Sequence, residues 1–162
     1  MSRIWKVGDN ISTDEIIPGR YNVTTDREQL AQAAFIEYRP DYAPNVQQGD
    51  VVVAGRNFGM GSSREHAPIA LQASGIQAVV ARSFARIFYR NAINIGLPIL
   101  VCDELHEAVE DGDQLALDLA TGRIELPDGR TFQVEPLPEF VLRIVQAGGI
   151  IPFVQSGQFG QL

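Results

Sequence analysis

The chain has 162 residues, 45% of them apolar and 20% charged, with a formal net charge of −7 at neutral pH. That length buries a core of its own within one domain, and the acidic balance argues against nucleic acid or an anionic membrane surface as a partner. One cysteine gives no disulfide framework; with no apolar run long enough to span a bilayer and no charged-then-apolar leader pattern, a cytoplasmic location is expected.

Residues 4–7 predict a first strand, followed by a polar loop over 8–20 that carries Ser12-Thr13-Asp14. Thr25-Asp26-Arg27-Glu28 reads as a capping box opening a helix on which Leu30, Ala34 and Tyr38 share a face. Residues 39–49 form a connection containing proline and asparagine. Residues 50–54, Asp-Val-Val-Val-Ala, are a β-branched run expected to be a buried strand. The next segment, 55–71, reads GRNFGMGSSREHAPIAL and predicts a polar Gly-rich loop, then a helix over 68–73 closed by Gly75. Residues 77–81 are a short apolar strand. Ser83 is expected to cap a helix that turns Phe84, Ile87, Phe88 and Ile95 inward and ends at Gly96.

The last third alternates differently. Residues 114–119 alternate polar and apolar, Thr121-Gly122 is a turn, and 123–126 reads as the partner strand. Asp128-Gly129 signals a hairpin into 130–134. A final helix over 138–146 stops at Gly148-Gly149, with a polar, frayed tail after Phe153. This order predicts an α/β fold: a compact β/β/α unit, a single domain over 1–162, with C-terminal β-hairpins and edge loops that would face a partner.

The Gly-rich loop carries the chemistry. Strand, polar loop and helix in that order aim backbone N–H groups at an anionic ligand. Ser62-Ser63-Arg64-Glu65 also fits a capping box, but a helix capped at Ser62 would hold Pro68 in its interior, where proline removes a hydrogen bond and clashes with the preceding turn. Placing Pro68 at the first helical position leaves Ser62, Ser63 and Arg64 in the loop with side chains free for a ligand. Gly59-x-Gly61 lacks the third glycine of a dinucleotide fingerprint, no Gly-Lys-Ser/Thr follows, and position 64 is arginine where a nucleophile elbow needs glycine. A fixed cation, two hydroxyls and backbone donors suit a small carboxylate or phosphate. A free-standing anion-binding module and a nucleotide-binding α/β domain would use the same loop. Cys102, in the apolar run 98–102, reads as a buried strand residue, and His66 and His106 lack metal-ligand spacing. No metal site is expected, and one thiol cannot hold a four-thiolate cluster.

Three motifs stand in order: DNISTDEIIPGRY over 9–21, GSSREHAP over 61–68 and ARSFARIFYRNAINIGLP over 81–98. Together they resemble the small subunits of the isopropylmalate isomerases (3-isopropylmalate dehydratases), equivalent to the swivelling domain of the aconitase family. The likeness extends from Val7 to Pro152. It implies a hydro-lyase that removes water from a hydroxy acid and adds it back in the other orientation, in leucine biosynthesis. By resemblance, Ser62 is the catalytic base as an alkoxide and Asp14 an active-site carboxylate. Ser63 and Arg64 bind the substrate carboxylate, and Gly59 and Gly61 support the loop. A serine hydroxyl is too weak an acid for this unless positive charge and donors stabilise its anion; Arg64 and the N–H groups of 59–63 are expected to supply them. The [4Fe-4S] cluster is expected in a partner large subunit, so this chain would be half of an active site. Arg86 and Arg90, four apart on the predicted helix, would otherwise be a solvated face; the second half of the likeness gives them a supporting role beside the loop.

Substrate choice falls, by the same resemblance, on the residues after Pro18-Gly19-Arg20-Tyr21. An arginine there pairs with the extra carboxylate of homoaconitate-type substrates, and an apolar residue packs on an isopropyl group. Val23 takes that position and cannot pair with a carboxylate. Asn22 stands where the family has leucine, which leaves methylmalate or dimethylmalate open as shorter substrates.

Overall fold

The computed structural model describes residues 1–61 and 65–155, apart from the side chain of Ile150. Its strands are β1 (Ser2–Lys6), β2 (Val51–Ala54), β3 (Ala78–Ala81), β4 (Ile99–Val101), β5 (Gln114–Asp118), β6 (Arg123–Glu125) and β7 (Thr131–Gln133). They form one seven-stranded sheet in the order β4-β3-β2-β1-β5-β6-β7. Strands β1 to β4 are mutually parallel, with Ile4 opposite Val51, Val53 opposite Val80 and Val79 opposite Ile99. β5 joins β1 antiparallel, and β6 and β7 continue antiparallel from it.

The two halves follow from residue type. Every residue of β2 and β3 is buried, because a parallel sheet covered on both faces needs unbroken apolar strands. β5 to β7 keep exposed polar residues beside buried Leu115 and Ile124, as hairpins with one wet face do.

Among the described residues eight α-helices accompany this sheet, besides one 3₁₀ turn over Gly19–Tyr21: α1 (Thr13–Ile16), α2 (Arg27–Ala33), α3 (Tyr42–Asn45), α4 (His66–Ala73), α5 (Arg86–Ile95), α6 (Leu105–Ala108), α7 (Glu139–Ala147) and α8 (Ile150–Gln155). Several depart from the sequence expectation. The 8–20 loop contains α1, whose N-cap Ser12 accepts from the Glu15 N–H while Glu15 accepts from the Ser12 N–H, each at 3.1 Å. The cap of α2 is Asp26, not Thr25; its Oδ1 accepts from the Glu28 and Gln29 N–H groups. Tyr38 is 39% exposed instead of sharing the buried face of Leu30 and Ala34. The 39–49 connection includes α3, and a further helix, α8, follows the Gly148-Gly149 stop, with Phe153 buried against Phe140; the tail expected to fray after Phe153 lies, beyond Gln155, outside the described residues.

α4 begins two residues before Pro68, with Glu65 at its N-cap position. Proline fits there because a helix's first turn has no intrahelical partner for its missing N–H. α5 begins at Arg86, and Ser83 does not cap it. Its buried stripe is Phe88, Ala92 and Ile93. Ile87 lies about 100° around the helix from Phe88 and is 46% exposed. Gly96 ends α5 in the left-handed region, as the sequence suggests. Any Cβ there would strike the Gly148–Gly149 backbone, so the ends of α5 and α7 meet through glycine.

The core runs beneath the parallel strands and is pinned at β1. Trp5 is fully buried, stacks edge-on against Tyr42 and donates Nε1–H to the buried Asp50 carboxylate at 2.9 Å. Over the same indole lies the Arg39 guanidinium, 4.7 Å from the ring centre. Arg39 donates two 2.7 Å hydrogen bonds to Asp111, a bidentate pair that latches the 39–41 segment to the loop before β5. The hydrogen bonds from Arg39 hold the Asp111 carboxyl below its ordinary value of 3.8.

A folded pKa below the unfolded one means that the pair contributes fully above the unfolded value and is lost as pH falls through the folded one. Solvent screening of this half-exposed carboxylate holds the contribution to about 1 kcal/mol. Urea unfolding of wild type and Asp111→Asn should therefore differ by about 1 kcal/mol at neutral pH, and the gap should close on titration below about pH 4.

Candidate active site

The loops at the carboxyl ends of the parallel strands converge, as open α/β sheets arrange their sites. From Ala54 the Gly-rich loop runs between two neighbouring segments and is joined to each by main-chain hydrogen bonds. On the β1 side, Gly55 N–H donates to Gly8 O at 3.1 Å and Asn10 N–H to Arg56 O at 2.8 Å. Gly59 N–H then donates to Ile11 O at 2.7 Å, and Thr13 N–H to Met60 O at 2.8 Å. On the β3 side, Arg82 N–H donates to Gly55 O, Phe58 N–H to Ser83 O and Ala85 N–H to Phe58 O, at 2.9 to 3.1 Å. Side chains add to this: Arg56 N–H donates to Asp9 Oδ1, and Asn57 N–H to Ser83 Oγ.

This pairing explains what Ser83 does. Its hydroxyl oxygen receives the loop's N–H at 2.8 Å instead of capping α5. It also narrows one expectation about the loop: of the N–H groups of 59–63, that of Gly59 is engaged by Ile11 O and is not offered to an anion, and those of Asn57 and Phe58 before it are engaged as well. A phosphate cradle cannot be built from them.

Three phenylalanines lie under the loop. Phe58 is fully buried and meets Phe88 and Phe84 edge-on at 5.2 and 6.1 Å, while Phe84 and Phe88 stack. Gly59 has φ +86°, and a Cβ at that position would overlap the Phe88 ring. Glycine is therefore required twice, by conformation and by space.

Among the proposed site residues, Asp14, Gly59 and Gly61 come together. Asp14 is exposed in the first turn of α1, next to Thr13, whose N–H reaches Met60 O and whose hydroxyl faces Gly61. Ser62, Ser63 and Arg64 lie outside the described residues. Val23 is 93% exposed, on a turn bonded to the start of α4 through His66 Nε2 and Thr24 O at 3.1 Å. Arg86 and Arg90 are exposed on α5 and form no ion pair among the described residues. Arg82, by contrast, is paired with Asp103 and Glu107.

Sequence reasoning missed His66 as a link between the Val23 turn and α4. It also missed the Ser12–Glu15 capping box, for which the S-x-x-E spacing was an available signal. His106 is a structural link, its Nε2 lying 2.7 Å from Val7 O. The carbonyl can only accept, so the ring donates. Cys102 is buried, and among the described residues no three His, Cys, Asp or Glu side chains converge as a metal site. No helix of the described chain is long and apolar enough to cross a membrane.

The family profile of the aconitase C-terminal domain matches residues 6–104, which contain all the loops just described. The chain is 52% identical to a 3-isopropylmalate dehydratase small subunit of Methanopyrus kandleri, over 94% of this chain and 91% of that protein. It is 49% identical to the isopropylmalate/citramalate isomerase small subunit of Methanocaldococcus jannaschii, over 95% of this chain and 92% of that protein. The solved structure of a 3-isopropylmalate dehydratase from Methanocaldococcus jannaschii superposes with a TM-score of 0.91 at 41% identity, covering 99% of this chain and 95% of that one.

Gly59→Ala should destabilise the protein by at least about 2 kcal/mol, because left-handed strain and overlap with Phe88 add. Denaturant titration measures it; a loss below about 0.5 kcal/mol would mean that the loop is not held against Phe88 as described.

Proposed function

The chain belongs to the family of aconitase C-terminal domains, and on that premise we propose that it is the small subunit of a two-subunit hydro-lyase that isomerises 2-isopropylmalate to 3-isopropylmalate in leucine biosynthesis. The whole chain, 1–162, acts as one swivelling domain. One observation carries this reading: the Gly-rich loop is registered by main-chain bonds against the Asp14 segment on one side and the Ser83–Ala85 segment on the other. The three motifs thus meet at one end of the sheet, where a single substrate can touch them.

The residues of this chain do not fit an iron–sulfur cluster, since the one thiol is buried in the core and no other ligand group gathers among the described residues. The cluster, which supplies a Lewis-acidic iron for the departing hydroxyl, is therefore a requirement on the large subunit. This chain supplies the proton chemistry and part of the binding. Ser62 takes the proton from the carbon beside a carboxylate, Ser63 and Arg64 hold that carboxylate, and Asp14 serves as an active-site carboxylate. Arg64 provides the planar, always-charged fork that a carboxylate needs. Exposed Val23 and Met60 support a face that the large subunit covers.

A second substrate deserves the same assay. Asn22 replaces the family's leucine beside the substrate-reading position, and one relative is named for citramalate as well as isopropylmalate. A shorter methyl-bearing acid would fit such a turn.

The isolated chain should be colourless and inactive, and should gain dehydratase activity only with a cluster-bearing large subunit. In that complex Ser62→Ala should lower kcat by about 10²–10⁴-fold, the weight of a general base, with the melting temperature unchanged. A stability loss of about 1 kcal/mol with activity retained would identify a helix cap instead.

Val23→Arg should shift the kcat/KM ratio away from 3-isopropylmalate and toward homoaconitate, since a guanidinium would fill the alkyl space and pair with the distal carboxylate. An unchanged ratio would show that Val23 does not face the variable group.

A further inference from the structure

We propose that His66 is a positioning residue for substrate choice: its hydrogen bond to the Thr24 carbonyl fixes how the Val23 side chain is presented. The proposal rests on the reading of Val23 given above. His66 is the first residue of α4, immediately downstream of the Gly-rich loop. Its Nε2 lies 3.1 Å from Thr24 O; a carbonyl only accepts, so Nε2 carries the proton and donates. The other ring nitrogen, Nδ1, is buried and has no partner among the described residues. Among the described residues, the Thr24 bond is thus the polar contact that orients this ring.

Thr24 is held from both sides. Its N–H donates to Tyr21 O at 3.2 Å, and its hydroxyl donates to Gln29 Oε1 at 2.9 Å while accepting from Asp26 N–H at 3.1 Å. Those bonds stay within the turn and the start of α2. The bond to His66 is the one that ties Thr24 to α4. Asn22 adds no anchor through Oδ1, which is buried without a partner among the described residues. Val23, between Asn22 and Thr24, touches almost nothing and is 93% exposed. Its direction is therefore inherited from its neighbours, and the neighbour linked to the loop that follows β2 is Thr24. Through His66 the turn that reads the variable group and the helix after the Gly-rich loop keep a fixed spacing.

Two polar variants test this without emptying the site. In His66→Gln the amide N–H reaches the position of Nε2; in His66→Asn it stops at the position of Nδ1 and cannot reach Thr24 O. Each is assayed in the reconstituted two-subunit enzyme with 3-isopropylmalate and citramalate. His66→Asn should lower the kcat/KM ratio for the larger acid over the smaller by about fivefold, the weight of one neutral hydrogen bond. The loss should appear in KM for 3-isopropylmalate, with kcat within about twofold, and His66→Gln should restore the ratio to within about twofold of wild type. Equal ratios in all three proteins, or an equal loss in both variants, would overturn the proposal, the second because a structural histidine does not distinguish Gln from Asn. Val23→Ala in the same assay separates the two readings. A shifted ratio there with none in His66→Asn removes the role of His66 alone. No shift in either removes the reading of Val23 and this proposal with it, and a shift only in His66→Asn overturns the proposal because the effect would not pass through Val23.

Discussion

The contact between Gly59 and the Phe88 ring is the constraint on which the site's geometry depends. Because position 59 has no side chain, the loop backbone lies directly on an aromatic ring of α5. That close approach lets Phe58 enter the core edge-on against the stacked pair Phe84 and Phe88. Burying two aromatic side chains contributes on the order of 3–6 kcal/mol, more than the few main-chain hydrogen bonds of the loop, each worth about 1 kcal/mol net. The aromatic packing therefore holds the loop down, and the hydrogen bonds set its register. A polar, glycine-containing segment becomes as fixed as a strand without being one.

With the loop held, its neighbours acquire their positions. Thr13 N–H reaches Met60 O, so α1 and its exposed Asp14 are set relative to the loop by a main-chain bond. The Ser12–Glu15 capping box completes α1, a helix of only four residues that would not persist by its own propensity. On the other side, Ser83 ties the end of β3 to the loop, and α5 follows with Arg86 and Arg90 turned outward. The antiparallel half of the sheet and α7 stand behind this arrangement. α7 braces α5 where Gly96 meets Gly148 and Gly149.

The parallel strands were legible because unbroken valine runs have few alternatives, and the hairpins because Thr121-Gly122 and Asp128-Gly129 carry local turn chemistry. Helix starts were less legible. Thr25, Ser83 and Pro68 each carry a plausible start signal, yet α2 is capped by Asp26, Ser83 binds Asn57 N–H, and Pro68 stands within the first turn of α4. A hydroxyl or carboxylate binds whichever orphan donor the fold brings near, and sequence spacing does not say which that is. The face of α5 was misjudged for a related reason. Phe84 precedes the helix, so counting it into the periodicity placed Ile87 inward, whereas the helix as formed exposes it.

The sequence by itself determined the family and the sheet's apolar strands, because those depend on residue type and order along the chain. Only the tertiary structure decided which donors remain free for a ligand, since the N–H groups of 57–59 are taken by neighbours from distant parts of the chain. It also decided that His66 faces Thr24, a contact across 42 residues. Such pairings arise where chain segments meet in space, and a linear pattern holds no record of that meeting.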